Sequence, residues 1–547
     1  EMKVVIIGGV AGGASCATRL RRLDESAEII VIERGENVSY ANCGLPYFVG
    51  GKIEKEESLT VASPGFLRTR FMIDVRVRSE AVGIDASAKM VRVRERDGRE
   101  YDESYDKLVL APGAAAKTFG WSGRGVFTLR DVRDATGLAD YVRAHGVESV
   151  LVAGGGFIGV ETAENLARLG VKVVLAEFAP QILPPLDPEL AVIAAGELAK
   201  NGVAVRTGTG VSSVAETADG LKVTFTDGSS EEFGAVVLAL GVSPETALAK
   251  AAGAGIAADG GIAVDDFMRT SLPDVYAAGD AVSVIGAGGG EALVPLAGPA
   301  NRQGRSVADN IAGGQSSNGR KVLGASVVKV CSLTAASVGR NEKQLLKDGV
   351  RFCKIYAFPF SHATYYPGAE QMTLKLLFDD GGRILGAQGV GAENVEKQID
   401  VIAAAMKFGG TVRDLAEMEL CYAPPYNSAK SPVNMLGFIA CNVLDGLMPA
   451  EYAENIGGDD FVLDVRTRGE YAAGHIEGSV NIPLDELRDR LSELPSDVRI
   501  VVTCAVGLRG YIAVRILLGH GFDAANLTGG YRLYTLAKKA GLVKTAR

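Results

Sequence analysis

The sequence offers little from which to build a metal site or a disulfide framework. It has only four histidines, and its seven cysteines (16, 43, 331, 353, 421, 441 and 504) are odd in number, scattered, and never spaced Cys-x-x-Cys. A structural zinc site therefore has almost no ligands to draw on, and the thiols read as free groups of a reducing compartment. No apolar run approaches the roughly 18 residues that cross a bilayer. Lys3-Val4-Val5-Ile6-Ile7 starts an apolar strand at once, leaving no room for a leader; a cytoplasmic location is expected. Excess positive charge is missing too. With 57 Lys and Arg against 66 Asp and Glu, the net charge of −9 gives no support to a nucleic-acid or membrane-surface role. Aromatics are sparse, at 6%.

Glycine, by contrast, is abundant: 69 in 547 residues, a length that calls for three to five domains. Two strand–glycine loop–helix–strand units stand out. The first is Lys3–Ile7, the loop Gly8-Gly9-Val10-Ala11-Gly12-Gly13, a helix to about Leu23 and a strand ending at Glu33. The second is Ser149–Ala153, the loop Gly154-Gly155-Gly156-Phe157-Ile158-Gly159, a helix to about Leu169 and a strand ending at Glu177. Each is a βαβ unit of about thirty residues, the layout that sets a pyrophosphate on a helix N-terminus and a ribose on the acidic residue. In the first loop Val10 stands where a second Gly is usual. In the second, Gly154, Gly156 and Gly159 match fully. A carboxylate at Glu177 favours a free 2′-hydroxyl, so NADH is expected over the alternative, NADPH.

The segment Thr270–Asp280, ending Ala277-Ala278-Gly279-Asp280, is similar to the second FAD motif of the pyridine nucleotide-disulfide oxidoreductases, and the resemblance covers about residues 1–447. It implies FAD held by Glu33, Arg34, Asn42, Ala111-Pro112-Gly113, Gly241, Gly279, Asp280 and Pro295-Leu296-Ala297, with Asp280 on the ribityl chain. It implies a nicotinamide nucleotide on the second loop, with Glu161 beside it and Phe157 screening the flavin. The fold class expected is α/β, with two three-layer Rossmann-like domains and an α+β dimerisation domain. The boundaries expected are 1–118 and 246–320 for the FAD domain, 119–245 for the NAD(P) domain, 321–447 for dimerisation and 448–455 for a linker.

Ser39-Tyr40-Ala41-Asn42-Cys43-Gly44-Leu45-Pro46-Tyr47 lies where this family places its redox cysteine, but with one thiol instead of a Cys-x4-Cys pair. A single thiol must form its mixed disulfide or persulfide with an external sulfur. The segment resembles the coenzyme A-disulfide reductases within a branch that also holds coenzyme A-persulfide reductases, NADH oxidases and NADH peroxidases. The last two carry a His at the position of Ala11, and its absence here counts against reactions of oxygen or peroxide. Coenzyme A would be held by Ser15, Arg19, Arg22, Ser39, Asn42 and Lys430, with Arg70 and Asn301 ranked lower. Tyr422, with Tyr365 or Tyr366, would reach the site of a partner subunit and donate to the leaving thiolate. A homodimer follows from that. Cysteines 16, 331, 353, 421 and 441 are expected as small core residues.

Residues 456–547 form a further α/β unit. Asp464-Val465-Arg466, Glu470–Pro483 and the loop Cys504-Ala505-Val506-Gly507-Leu508-Arg509 resemble the rhodanese domains. A thiolate at a strand end, ringed by backbone N–H groups, is stabilised as an anion; Arg509 is expected to add positive charge, and His475 to be structural. Three readings stay open beside the favoured one, a coenzyme A-persulfide, disulfide or polysulfide reductase fed by Cys504. They are a disulfide reductase with an independent rhodanese, an NADH oxidase or peroxidase, and a sulfur-trafficking or redox-sensing flavoprotein without catalysis.

Overall fold

The computed structural model describes residues 2–317, 319–457 and 460–543. The chain divides into two compact units, Glu1–Ile182 with Gly202–Gly324, and Leu183–Asn201 with Ala325–Arg547.

The first unit holds two five-stranded sheets of the same plan. One runs Val275–Ala277, Lys107–Leu110, Lys3–Ile7, Glu28–Ile32, Asp74–Arg76. The other runs Val203–Thr207, Lys172–Glu177, Ser149–Ala153, Ala235–Leu238, Val126–Phe127. All their pairings are parallel. The central strands are near-continuous Val, Ile and Leu, as strands covered on both faces must be. Each sheet also sends out a three-stranded antiparallel excursion, Ser79–Ser104 and Val211–Phe233, which the sequence reading did not foresee. A two-stranded antiparallel ribbon, Ala114–Ala116 with Val242–Pro244, carries the chain between the two. Helix Ala297–Ile311 packs on helix Ala11–Leu23 through Gly304, where a Cβ would come within 2.2 Å of the Gly12 carbonyl oxygen.

The second unit starts with helix Pro188–Lys200, which in sequence is the crossover between two strands of the second parallel sheet. Its partner is an antiparallel sheet ordered Ser326–Val330, Leu333–Gly339, Ile384–Gly391, Thr373–Phe378, Cys353–Ala357. A buried charge cluster holds the helix there. Lys375 is fully buried, and its Nζ lies 2.8 Å from Asp187, 2.6 Å from Glu189 and 2.7 Å from Glu342. Gln388 Nε2 donates to Asp187 at 2.6 Å, and Tyr356 Oη to Glu189 at 2.7 Å. Burial pushes Lys375 down, but Tyr356, Glu189, Asp187 and Glu342 outweigh it and hold the ammonium well above its ordinary range.

A parallel-stranded α/β body completes the unit, ordered Ala450–Glu451, Ala524–Leu527, Ile500–Thr503, Phe461–Asp464, Val480–Asn481. Here the expected linker is corrected. Ala450–Glu451 is an edge strand of this sheet, with Asn526 N donating to Pro449 O at 2.8 Å and Thr528 N to Glu451 O at 3.0 Å. Two residues are too few to show strand alternation, so nothing in the sequence marks this strand. The body is tied to the antiparallel sheet by Lys354, which bridges Glu342 at 2.7 Å and Glu454 as well.

Candidate active sites

Both glycine loops are shaped for a phosphate. Gly8 (φ +95°) could bear no Cβ, which would sit 2.0 Å from the Ala111 carbonyl oxygen, and at Gly13 a Cβ would lie 1.8 Å from Gly8 O. Gly154 (φ +108°) and Gly159 meet Ala239 O and Gly154 O at 2.2 and 1.9 Å in the same way. Neither following helix has a side-chain cap at its start, at Val10 or Gly156, so its first amides are free for an anion. A Cβ at Gly156 would touch nothing within 4 Å, which explains why Val10 is tolerated at the matching place. Ala11 and Phe157, Gly12 and Ile158 then open the two helices.

The acidic residues at the strand ends organise these loops. Glu33 accepts from Gly9 N at 2.9 Å and Gly35 N at 2.8 Å; Glu177 accepts from Gly155 N and Ala179 N, both at 2.7 Å. Their remaining lone pairs suit a ribose diol. The residues present therefore fit two dinucleotides. Asp280 accepts from Arg130 Nη2 at 3.0 Å, and Arg130 Nε donates to Ala114 O at 2.7 Å. Arg130 was missed by the sequence reading, because a lone Arg in Leu129-Arg130-Asp131 carries no motif. Arg34 pairs with Glu245 at 2.6 Å. Gly113 and Gly241 flank the ribbon, both with positive φ, and Asn42 opens the turn that carries Cys43. Pro295 and Leu296 lead into the helix that begins at Ala297.

Cys43 is exposed in a 3-10 turn, Asn42–Gly44, that runs into helix Leu45–Val49. Burial of the sulfur pushes its thiol up; Glu161 and Asp280 add to this and Arg130 opposes it. On the first helix Ser15 donates to Asn301 at 2.5 Å, and Arg19 bridges Asp309 at 2.7 Å. Arg22 is exposed, and Arg70 stacks over Phe66 at 5.1 Å. Ser39 adopts φ +49° and donates its N–H to Gly9 O at 2.8 Å.

In the second unit Tyr365 and Tyr422 share a hydrogen bond between their hydroxyls, and both are exposed. Tyr366 instead meets His362 edge-on. Lys430 is exposed in the same segment. Cys421, expected in the core, is exposed in the coil before helix Pro432–Leu444; its apolar flank Leu420 did not predict a surface loop.

Cys504 follows strand Ile500–Thr503 and is 1% exposed. Its Sγ accepts from Gly507 N at 3.1 Å, where Gly507 (φ +112°) caps helix Leu508–Gly519. Gly530 must lack a side chain, since a Cβ would be 2.5 Å from Cys504 O. Arg509 is oriented by Glu470 through two hydrogen bonds of 2.8 and 2.7 Å, and its guanidinium also feels the charge of Cys504. Asp464 and Arg466 form a buried pair, with Arg466 donating to Gly474 O and lying over the Tyr531 ring. His475 stacks on Tyr471 and bonds its carbonyl.

Paired dinucleotide loops, a lone thiol between acidic groups and a second thiol cradled by a strand-to-helix loop define a nucleotide-dependent sulfur oxidoreductase. Residues 2–304 match the pyridine nucleotide-disulphide oxidoreductases, 325–432 their dimerisation domain and 448–537 the rhodanese-like domain. The chain belongs to the pyridine nucleotide-disulphide oxidoreductase family, whose members work with FAD and NAD(P)H. It is similar to the structure of reduced CoADR-RHD of Bacillus anthracis, with 42% identity, 99% of both chains covered and a TM-score of 0.96. The NAD-dependent persulfide reductase from A. fulgidus is 37% identical, covers 97% of this chain and 100% of its own, and superposes with a TM-score of 0.91. The coenzyme A disulfide reductase of Staphylococcus aureus (strain JH9) is 34% identical over 441 residues, 80% of this chain and 99% of that protein. Among the described residues no helix is long and apolar enough to cross a membrane.

Proposed function

We propose that the protein is an FAD-dependent NAD(P)H reductase of coenzyme A persulfide, coenzyme A disulfide or short polysulfides, with Cys43 as its redox thiol and Cys504 as a sulfane-sulfur carrier. The observation that carries this reading is the isolation of Cys43, exposed at the mouth of its turn with no second thiol beside it among the described residues. The persulfide reductase relative, matched over 97% of this chain, supports persulfide.

Bound FAD supplies two-electron transfer from the nicotinamide to sulfur. The protein's own residues do the rest. The Cys43 thiolate attacks the inner, R-bearing sulfur of R–S–SH, the S–S bond breaks, and HS⁻ leaves as Cys43–S–S–R forms. Two electrons from NADH then cleave that disulfide to Cys43–S⁻ and R–S⁻. Ser15, Arg19 and Arg22 on the first helix, with Asn301 on the helix packed against it, would meet the phosphates of coenzyme A. Tyr365 and Tyr422 of a second copy would donate O–H to the leaving thiolate, and their exposure in a single chain supports that assignment.

A second reading, disulfide reduction with an independent sulfurtransferase, is favoured by the Staphylococcus relative, which 441 residues of this chain span almost completely. NADH consumption by the holoenzyme should be compared with coenzyme A persulfide, coenzyme A disulfide, polysulfide and oxygen as acceptors. Persulfide should give the highest kcat/KM, and Cys43→Ser should remove turnover with every sulfur acceptor while FAD stays bound. Retained turnover in that variant would sink the assignment of Cys43.

A further inference from the structure

The turn carrying Cys43 continues without a break into helix Leu45–Val49, so Tyr47, four residues on, shares the face of Cys43. Tyr47 Oη donates to Glu161 Oε1 at 3.0 Å. Glu161 stands in the second turn of helix Phe157–Arg168, and the two helices are pressed together at Gly50, where a Cβ would lie 2.5 Å from Asn165 Oδ1. Glu164, three residues beyond Glu161, is itself buried. Among the described residues no Lys or Arg forms a salt bridge with Glu161. The groups acting on Cys43 are the carboxylates of Glu161 and Asp280 and, in opposition, Arg130. Burial lifts the Glu161 carboxyl to about 7, with Glu164 adding and the Tyr47 hydrogen bond opposing.

We propose that Glu161, coupled to the sulfur site through Tyr47, is a positioning residue that holds a proton for Cys43, so that the two groups share one negative charge. This rests on Cys43 being the redox thiol. Two like charges in one half-buried site cannot both form cheaply, so a new thiolate draws a proton from the carboxyl. The exchange is Glu161–COOH + Cys43–S⁻ → Glu161–COO⁻ + Cys43–SH, with charge conserved and no electron moved. In turnover the balance is NADH + Cys43–S–S–R → NAD⁺ + Cys43–SH + R–S⁻. The hydride brings two electrons that break the S–S bond and one proton that ends on Cys43 sulfur. Glu161 releases its proton as that sulfur gains one, and regains it from the equivalent proton set free from the hydride.

The test reads the thiol directly. Holoenzyme is reduced with dithiothreitol, desalted, and alkylated with iodoacetamide between about pH 6 and pH 10 around the thiol range; labelling of the Cys43 peptide is followed by mass spectrometry. Glu161→Gln should lower the midpoint of Cys43 reactivity by about one pH unit, the size of a nearby-charge effect, and Glu161→Asp should restore it. Tyr47→Phe, which removes a donor to the carboxylate, should move the Glu161-dependent limb of the kcat–pH profile upward, and Glu161→Gln should abolish that limb. A Cys43 midpoint unmoved in Glu161→Gln that retains FAD, or a limb unmoved in Tyr47→Phe, would overturn the proposal. Failure of the redox reading shows separately, as full turnover in Cys43→Ser.

Discussion

Replacing Lys375 by Met leaves three carboxylates, those of Asp187, Glu189 and Glu342, around a site from which their common ammonium has gone. Asp187 and Glu189 are 0% and 2% exposed, so water cannot take its place. Removing one partner of a buried ion cluster typically costs about 3–5 kcal/mol, or roughly two to four powers of ten in a local opening equilibrium. The pH dependence follows from the direction of the shifts. Burial pushes Asp187 up, but Lys375 and the donors Glu342 N and Gln388 outweigh it and hold the carboxyl below its ordinary range. Its contribution is therefore present above about pH 4, the unfolded value, and lost as pH falls below it. Lys375 is held high, so its contribution is complete below about pH 10 and is lost only at higher pH. The wild type should thus be flat between these limits. In Lys375→Met the orphaned carboxyls rise above their unfolded values, so the deficit is greatest near pH 8 and shrinks toward pH 5, where protons replace the ammonium. Amide exchange of strand Thr373–Phe378, corrected for intrinsic rate, measures this. Protection should fall by about 10²–10⁴-fold at pH 8. A loss below about tenfold, or one independent of pH, would refute the reasoning. Arg413→Ala, which breaks an exposed pair with Asp445, should leave the same strand unchanged.

Glu177→Gln keeps an acceptor for the Gly155 amide but removes the charge, so the kcat/KM ratio should move toward NADPH by about tenfold, one pKa unit of interaction; an unmoved ratio would show that Glu177 does not read the ribose. Cys504→Ser should abolish thiosulfate sulfurtransfer and leave NADH reduction of free coenzyme A disulfide unchanged, while slowing reduction from protein-bound sulfane sulfur. Equal rates with every donor would show that Cys504 is no relay. Arg509, with help from Thr467, holds Glu470 down at about 2 despite some burial. The stabilisation from that pair is present above about pH 4.3 and lost as pH falls from there toward 2. Glu470→Gln should flatten the acid limb of circular-dichroism unfolding in that window, and an unchanged limb would count against the pairing.

The fold class was legible because its signals are local. Apolar strands, tight glycine loops and a terminal Glu lie within about thirty residues of each other in each βαβ unit, and the rhodanese loop is a single hexapeptide. What stayed hidden is non-local or too short. Lys375 reads as one polar residue in Thr-Leu-Lys-Leu-Leu-Phe, and its partners lie far away in sequence, Glu189 by 186 residues. Arg130 meets Asp280 across 150 residues, and Arg509 meets Glu470 across 39. The edge strand Ala450–Glu451 is too brief to alternate. The single-residue features at Cys43, Tyr365 and Tyr422 were named from resemblance, whereas the contact of Tyr47 with Glu161 is visible only in three dimensions.

The placement of helix Pro188–Lys200 has a consequence for biosynthesis. The helix leaves the ribosome among the strands of the nucleotide sheet, yet the ammonium that neutralises Asp187 and Glu189 is translated 186 residues after Glu189. At about 5–20 residues per second the nascent helix waits on the order of 10–40 s with Leu190, Ala191, Ala194 and Leu198, all buried in the finished protein, uncovered. Until Lys375 is made, the carboxylates of Asp187 and Glu189 lack the ammonium that balances them in the finished protein. The lock on this helix can therefore close only after strand Thr373–Phe378, which carries Lys375, has been translated.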